Sequence, residues 1–154
     1  MLIPPRLVLL LIIVAAALAM FVPIIGPAPW LVRLLGVPIV AGGVALTLPS
    51  ARRFDRLETN IKTVDDPGQL VTDGWFRFTR NPIYLGFVVM LIGVAVLLGS
   101  LSAWIAPLVF WLAAQFWYIA FEEERLRATF GADYDNYCQQ VRRWIGTRRW
   151  IGTE

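Results

Sequence analysis

Four apolar stretches, each close to the length that crosses a lipid bilayer, constrain this chain more than any other feature. They span residues 7–25, 31–48, 83–98 and 103–121, and a membrane-spanning helix needs about 20 predominantly apolar residues. Of the 154 residues, 58% are hydrophobic and 16% are charged, which is too apolar for an ordinary soluble domain. The sequence therefore predicts an all-α integral membrane protein with four transmembrane helices in a single domain, residues 1–154.

The first stretch has a second interpretation. Arg6, a short apolar run and the sequence Ala17-Leu18-Ala19 are compatible with a cleavable secretory signal. The apolar character continues past that site to Ile25, as it does in a spanning helix. We therefore expect a retained first helix.

Basic residues predict the orientation. Twelve of the fourteen lysines and arginines lie between the second and third stretches or after the fourth, on one side of the predicted spans. The positive-inside rule assigns this side to the cytoplasm and places both termini there. The predicted location is the cell (inner) membrane. Arg33, near the outer end of the second stretch, is the exception, and we expect its stem to extend to the interface. The twelve are Arg52, Arg53, Arg56, Lys62, Arg77, Arg80, Arg125, Arg127, Arg142, Arg143, Arg148 and Arg149.

Two polar segments belong to the cytoplasmic side. The connecting segment 51–79 is predicted to contain a short surface helix that breaks at Asp65-Asp66-Pro67-Gly68; a charged linker is the alternative. Residues 133–144 carry aromatic and apolar residues at helical spacing, which predicts a C-terminal amphipathic helix at the membrane interface. The sequence Arg-Arg-Trp-Ile-Gly-Thr, which starts at Arg142 and again at Arg148, is predicted to be a surface anchor.

The composition argues against several functional classes. The chain contains no histidine, so a zinc site or a Ser-His-Asp hydrolase is not expected. Its one cysteine, Cys138, permits no internal disulfide. The formal charge of +3 suits an anionic lipid surface, and no nucleic-acid-binding module is visible.

Two polar signatures occur at matching ends of the third and fourth stretches. Arg80-Asn81-Pro82-Ile83-Tyr84-Leu85-Gly86 enters the third, and Glu122-Glu123-Glu124 closes the fourth. Antiparallel pairing about a turn at residues 99–102 places Tyr84 near Tyr118. The two signatures are therefore predicted to meet at one membrane surface.

This pattern resembles the isoprenylcysteine carboxyl methyltransferase and phospholipid methyltransferase family of integral membrane proteins. The resemblance covers residues 70–145, about half of the chain, and extends to Leu126, Phe130-Gly131, Tyr134 and Tyr137. It implies a cytosolic S-adenosylmethionine pocket in this half and a lipophilic or lipid-linked substrate that reaches the methyl group from the bilayer. By that likeness the cofactor motif comprises Arg80, Asn81, Pro82, Tyr84, Gly86, Glu122 and Glu123.

The charged and aromatic members of the motif suit this cofactor, which offers a carboxylate, an ammonium, ribose hydroxyls, an adenine face and a sulfonium. Arg80 can hold the carboxylate, and Glu122 or Glu123 can take the ammonium or the ribose. Tyr84 offers a hydroxyl or a ring face. Each of these residues also has a purely structural interpretation, as an orientation charge or an interfacial aromatic.

The remaining members act through the backbone. Pro82 begins a helix and leaves the first-turn amides available to a ligand, and Gly86 lets a ligand or the fourth helix come close. Asn81 departs from the histidine that often occupies its place in isoprenylcysteine enzymes, and Trp75 replaces the proline that commonly follows the glycine matching Gly74. These departures weaken the inference to an isoprenylcysteine substrate but not to methyl transfer.

A polar stripe on the fourth stretch supports a cavity. Gln115 lies inside the predicted bilayer, where an amide without a partner is costly, so it must face a cavity or a neighbouring helix. Tyr118 joins the predicted cofactor-binding residues through this stripe. Its members, at spacings of four, three and four, are Trp111, Gln115, Tyr118 and Glu122.

The predicted function is S-adenosylmethionine-dependent methyl transfer to a small lipophilic or lipid-linked acceptor. The predicted catalytic residues are Arg77 and Arg125, which can hold an anionic acceptor, and Glu122, which can assist an amine; carboxylate and amine acceptors both remain open. The first alternative is a non-catalytic membrane scaffold or partner-binding protein. The second is a nicotinamide-dependent membrane reductase of similar helical build.

Overall fold

The computed structural model describes residues 3–24, 28–56 and 70–147. These ranges are helical and contain no strand, which confirms the all-α prediction for them. Of the segment 51–79 that was predicted to contain a surface helix, residues 51–56 belong to the helix Gly36–Arg56 and residues 57–69 lie outside the described ranges. Two 3-10 helices, Gly74–Arg77 and Leu101–Trp104, and one π-helical turn, Ala114–Tyr118, interrupt the α-helices. The α-helices are α1 Pro4–Phe21, α2 Trp30–Leu34, α3 Gly36–Arg56, α4 Pro82–Leu98, α5 Ile105–Ala113, α6 Ile119–Phe130 and α7 Ala132–Gln140.

Three helical segments are long and apolar enough to cross a membrane. They are Pro4–Phe21, Trp30–Arg53 and Leu101–Phe130, and α4 is a fourth apolar helix of 17 residues. Large apolar side chains face outward along them, including Leu9, Ile13, Leu31 and Leu108. Such surfaces mark contact with lipid or with another protein, so the fold is consistent with an integral membrane protein.

Two prolines affect this part of the chain, Pro38 within the second apolar stretch and Pro49 directly after it. The helix is interrupted at Leu35, before α3 begins, because Pro38 in the first turn of α3 lacks the N–H that would continue the hydrogen-bond ladder backwards. The second stretch was predicted to end at residue 48, but α3 continues through Pro49 to Arg56. The Ser50 hydroxyl donates to a carbonyl of the preceding turn at 2.7 Å, which adds a bond where the ladder is weakened.

Helix α4 contacts α1, α3 and α5, and its contact with α3 is made through glycines. Gly36 faces Gly93, and Gly43 faces Gly86; we call these four residues the glycine seam. A Cβ atom on Gly86 would lie 2.7 Å from the Gly43 carbonyl oxygen, and one on Gly93 would lie 2.9 Å from that of Gly36. The seam therefore brings two helix backbones into direct contact.

The seam corrects one prediction about Gly86. The predicted neighbour was a ligand or the fourth apolar stretch, but α3 fills that space with Thr47 and Gly43. Two small residues of the second stretch, Gly36 and Gly43, admit the backbone of α4. Gly42, by contrast, faces open space.

Two apolar clusters hold the fold together. The larger one joins α1 to α4 and α5 and includes Phe87 and Phe110, whose rings meet edge to face at 5.8 Å. The smaller one packs α7 against residues 70–78. Tyr134 and Tyr137 are only 2% and 7% exposed in it, so they are core residues and not aromatic anchors at a membrane interface. The predicted C-terminal helix ends at Gln140 instead of continuing to residue 144.

Arg33 closes the C-terminal end of α4. Its Nε donates to the Leu97 carbonyl at 2.7 Å, and Gly99 ends α4 in the left-handed region at a φ of 68°. A cation at this position compensates the unpaired carbonyls and the partial negative charge of a helix C-terminus. Arg33 therefore caps a helix, and its extension to the membrane interface stays a prediction.

Candidate functional site

The two signatures meet where α4 begins and where α6 emerges from the π-helical turn. Pro82 is the first residue of α4, and Glu122 lies in the first turn of α6. Residues 141–147 fold back on these ends as a turn closed by the Val141–Thr147 bridge; we call it the C-terminal turn. We call the region formed by residues 79–84, 115–123 and 143–144 the helix mouth.

A carboxylate between two guanidinium groups lies at the centre of the helix mouth. Glu123 Oε1 is 3.1 Å from Arg80 Nη2 and 3.0 Å from Arg143 Nε, and Glu123 Oε2 is 2.5 Å from Arg143 Nη2. The side chains of Arg80 and Glu123 are only 12% and 9% exposed. We call these three residues the charged cluster; its formal charges leave one net positive charge at a poorly hydrated position.

The other nitrogens of Arg80 extend towards α7. Nη1 donates to the Tyr134 hydroxyl at 3.4 Å and also contacts the Cys138 sulfur. Burial, and then the nearby Glu123 carboxylate, raises the pKa of Tyr134, so its hydroxyl stays protonated at neutral pH. Arg80 Nε is buried and has no hydrogen-bond partner among the described residues, which is uncommon for a buried polar atom.

Glu122 forms a separate pair with the start of α4. The Tyr84 hydroxyl donates to Glu122 Oε1 at 2.6 Å. The Tyr84 ring lies nearly parallel to that of Tyr118, with centroids 6.1 Å apart and planes inclined by 16°. Adjacent glutamates on α6 therefore serve different partners, since one faces a phenol and the other faces guanidinium groups.

The π-helical turn gives Gln115 two partners in the C-terminal turn. The Trp144 indole donates to the Gln115 side-chain oxygen at 2.7 Å, and Arg143 Nη1 approaches the Gln115 backbone carbonyl at 3.5 Å. The Trp144 ring also lies 6.3 Å from that of Trp111. The partner required for Gln115 is thus neither a neighbouring helix nor an open cavity.

The structure brings most of the predicted cofactor residues together. Arg80, Tyr84, Tyr118, Glu122 and Glu123 share the helix mouth through the contacts above. Their direct contact with a cofactor stays a prediction.

Other motif residues have structural partners. The buried Asn81 amide donates to the Arg143 carbonyl at 3.0 Å, and Gly86 belongs to the glycine seam. Arg125 lies over the Phe121 ring at 5.8 Å. Arg77 is exposed and lines a cleft of about 470 Å³ between residues 49–53 of α3 and residues 74–78. The catalytic roles of Arg77 and Arg125 likewise stay predictions.

Sequence reasoning missed Arg143 and Trp144. They were predicted to belong to a surface anchor, and this is wrong because both are half-buried and inserted into the helix mouth. The second copy of the repeat, from Arg148, lies outside the described residues. The one signal available was Gln115, whose amide needed a hydrogen-bond partner within an otherwise apolar stretch.

Comparison with known proteins gives consistent matches. A family model described as phospholipid methyltransferase matches residues 31–133. The chain is 32% identical over 117 residues to a probable protein-S-isoprenylcysteine O-methyltransferase of Oryza sativa subsp. indica, and these residues are 73% of this chain and 60% of the rice protein. It is 37% identical over 75 residues to the protein-S-isoprenylcysteine O-methyltransferase of Schizosaccharomyces pombe, covering 47% of this chain and 30% of the yeast protein. The chain therefore spans less than two thirds of the length of either relative.

Proposed function

The chain belongs to the phospholipid methyltransferase family, and on this premise we propose that it transfers a methyl group from S-adenosylmethionine to a small lipophilic or lipid-linked acceptor at the cytoplasmic face of a membrane. The observation that carries the proposal is the convergence of Arg80 with Glu122 and Glu123, more than 40 positions later in the chain, at one helix mouth. The names of the rice and yeast relatives support a lipid-linked acceptor.

The residues of the helix mouth fit the proposed cofactor. The buried Arg80 Nε without a partner among the described residues and the net positive charge of the charged cluster suit a carboxylate. Glu122 would take the ammonium or a ribose hydroxyl, and the parallel rings of Tyr84 and Tyr118 would form an aromatic wall. When bound, S-adenosylmethionine would supply a methyl group on a positively charged sulfur.

The contribution of the protein is then binding, orientation and exclusion of water. Glu123 holds Arg80 in place, because both of its oxygens already accept bonds from guanidinium groups. Arg125 and Arg77 would attract an anionic acceptor, such as a carboxylate. An amine acceptor would instead lose its proton to a Glu122 oxygen.

We further propose four membrane spans with both termini in the cytoplasm. The support is the distribution of basic residues together with the apolar length of the four helical segments. In a Cys138→Ser background, a cysteine at the exposed Leu101 should react with a membrane-impermeant thiol reagent added outside intact cells. A cysteine at the exposed Gln139 should react only in inverted vesicles, and the reverse pattern would reject this orientation.

The test of function is binding of S-adenosylhomocysteine, the demethylated product of the cofactor, to the full chain in nanodiscs. We expect calorimetry to show saturable heat at one site per chain, and no comparable heat with a nicotinamide dinucleotide. Folded protein that gives neither heat nor a thermal shift at millimolar ligand would contradict the enzyme proposal. Saturable binding of the dinucleotide alone would favour a reductase.

One observation favours a non-catalytic scaffold as the second candidate. The oxygens of Glu123 are occupied by Arg80 and Arg143, which is also how a purely structural ion-pair cluster is built. The binding experiment separates the two, since a scaffold has no reason to retain affinity for S-adenosylhomocysteine.

A further inference from the structure

Arg143 approaches the helix mouth from the C-terminal turn, outside both signatures. Its Nε and Nη2 each bond to a different oxygen of Glu123, at 3.0 and 2.5 Å. Only a planar guanidinium can make this two-point contact, because a lysine ammonium is a single point charge. The geometry therefore depends on arginine at this position and not simply on a positive charge.

The backbone of Arg143 is held independently of its side chain. Its carbonyl accepts bonds from the Asn81 amide at 3.0 Å and from the Thr79 hydroxyl at 3.3 Å. The turn is further tied by the Gly146 N–H, which donates to the Phe78 carbonyl at 2.8 Å. The C-terminal turn is thus attached to the segment before α4 without the guanidinium, so the two bonds to Glu123 are not needed to hold it there.

The bonds of Arg143 act on the orientation of Glu123 and, through it, of Arg80. Glu123 Oε1 is shared between Arg143 Nε and Arg80 Nη2, so the angle of the carboxylate sets the position of Arg80 Nη2, while Nη1 contacts Tyr134 and Cys138. Without Arg143 the carboxylate has one cation instead of two and is free to rotate towards it. The Arg80 group that faces the proposed ligand would then lose its fixed direction.

We propose that Arg143 is a positioning residue of the methyl-transfer site, which orients Arg80 through Glu123 without contacting the cofactor. This inference rests on the proposed function. It assigns to the C-terminal turn a role in ligand affinity that neither signature predicts. The Trp144 bond to Gln115 holds the same turn against the π-helical turn and so completes the support.

The experiment compares Arg143→Ala and Arg143→Lys with Arg142→Ala in the full chain, in nanodiscs. Arg142 is the matched control because it is the preceding residue, carries the same charge and is exposed. We expect the affinity for S-adenosylhomocysteine, measured by calorimetry, to fall about 10- to 100-fold in both Arg143 variants. The control should stay within about twofold, which is the scale of a surface charge.

A second readout separates positioning from general structural support. Guanidinium ion at tens of millimolar, far below denaturing concentrations, should restore at least part of the lost affinity in Arg143→Ala and should not raise that of Arg142→Ala. Its failure to do so, with wild-type unfolding temperature, would overturn the proposal. If Arg143→Ala does not fold, Arg143→Lys decides: weakened binding supports positioning, and unchanged binding overturns it.

The outcomes also distinguish this inference from the function on which it rests. Wild-type protein that does not bind S-adenosylhomocysteine contradicts the proposed function. Wild-type protein that binds, with Arg143→Ala equal to Arg142→Ala, leaves the function in place and rejects the positioning role alone.

Discussion

Helix α4 is fixed by two regions of opposite character, the glycine seam along its length and the charged cluster at its start. In the seam, backbone atoms of α3 and α4 touch, and a single added methyl group has no space. In the cluster, long side chains span the gap, and the arrangement depends on charge. The seam should therefore be sensitive to changes in side-chain size, and the cluster should be sensitive to changes in charge. Substitutions of the corresponding kind in each region test this difference.

The largest effect is expected for Glu123→Gln, which changes charge with almost no change in size. Two guanidinium groups, one of them largely buried, would lose their shared counter-ion, and removing one partner of a buried ion pair costs about 3–5 kcal/mol. We expect a marked fall in unfolding temperature in detergent and weaker binding of S-adenosylhomocysteine. Glu124→Gln is the matched control, because Glu124 is adjacent and exposed; equal effects from both would show that the cluster is not special.

An intermediate effect is expected for Gly86→Ala, which adds one methyl group without charge. Its Cβ would lie 2.7 Å from the Gly43 carbonyl oxygen and would also meet the Thr47 hydroxyl, and such overpacking costs about 1–3 kcal/mol. Gly42→Ala is the control, because that position faces open space and alanine is the better helix former. Thermal unfolding should separate the two variants, and a neutral Gly86→Ala would mean that the seam can open at little cost.

The smallest effect is expected at the C-terminal end of α4, for Arg33→Met. There a cation meets a backbone carbonyl instead of a carboxylate, and a helix C-terminal interaction of this kind is worth about 1 kcal/mol. Arg6→Met is the control, since Arg6 is exposed at the start of α1. A loss of stability as large as that of Glu123→Gln would break the ranking and place the dominant ionic interaction at the other end of the helix.

Apolar length made the helices predictable, whereas helix irregularities were not. A run of about 20 apolar residues has few alternatives to a spanning helix, so α1, α3 and α4 occur close to where they were expected. The π-helical turn at Ala114–Tyr118 leaves no mark in composition, because the apolar and aromatic residues there suit an α-helix equally well. The effect of Pro49 was misjudged for a related reason, since a proline is tolerated where nearby side chains make up for its missing donor.

Within the site, the meeting of the two signatures was predictable, and the insertion of the C-terminal turn was not. Antiparallel pairing was enough to bring Tyr84 near Tyr118 and Glu122. The partner of Glu123 in the C-terminal turn depends on how α7 folds back, and the repeat of the Arg-Arg-Trp-Ile sequence concealed that its first copy is inserted. Local pattern could not indicate that Arg143 finds a buried counter-ion.

The π-helical turn determines which way the glutamates point. A π-turn accommodates one residue more than an α-helical turn, and each residue of an α-helix advances the side-chain direction by about 100°. If the same residues of Ala114–Tyr118 formed regular α-helix instead, everything that follows would be rotated about the helix axis by about that amount. The apolar exterior of α5 would be unchanged, but Glu122 and Glu123 would turn away from Tyr84 and Arg80. The extra residue of the π-helical turn thus fixes the rotation of α6, which carries the glutamates, relative to the apolar α5. The side chains of the two helices can therefore be oriented independently.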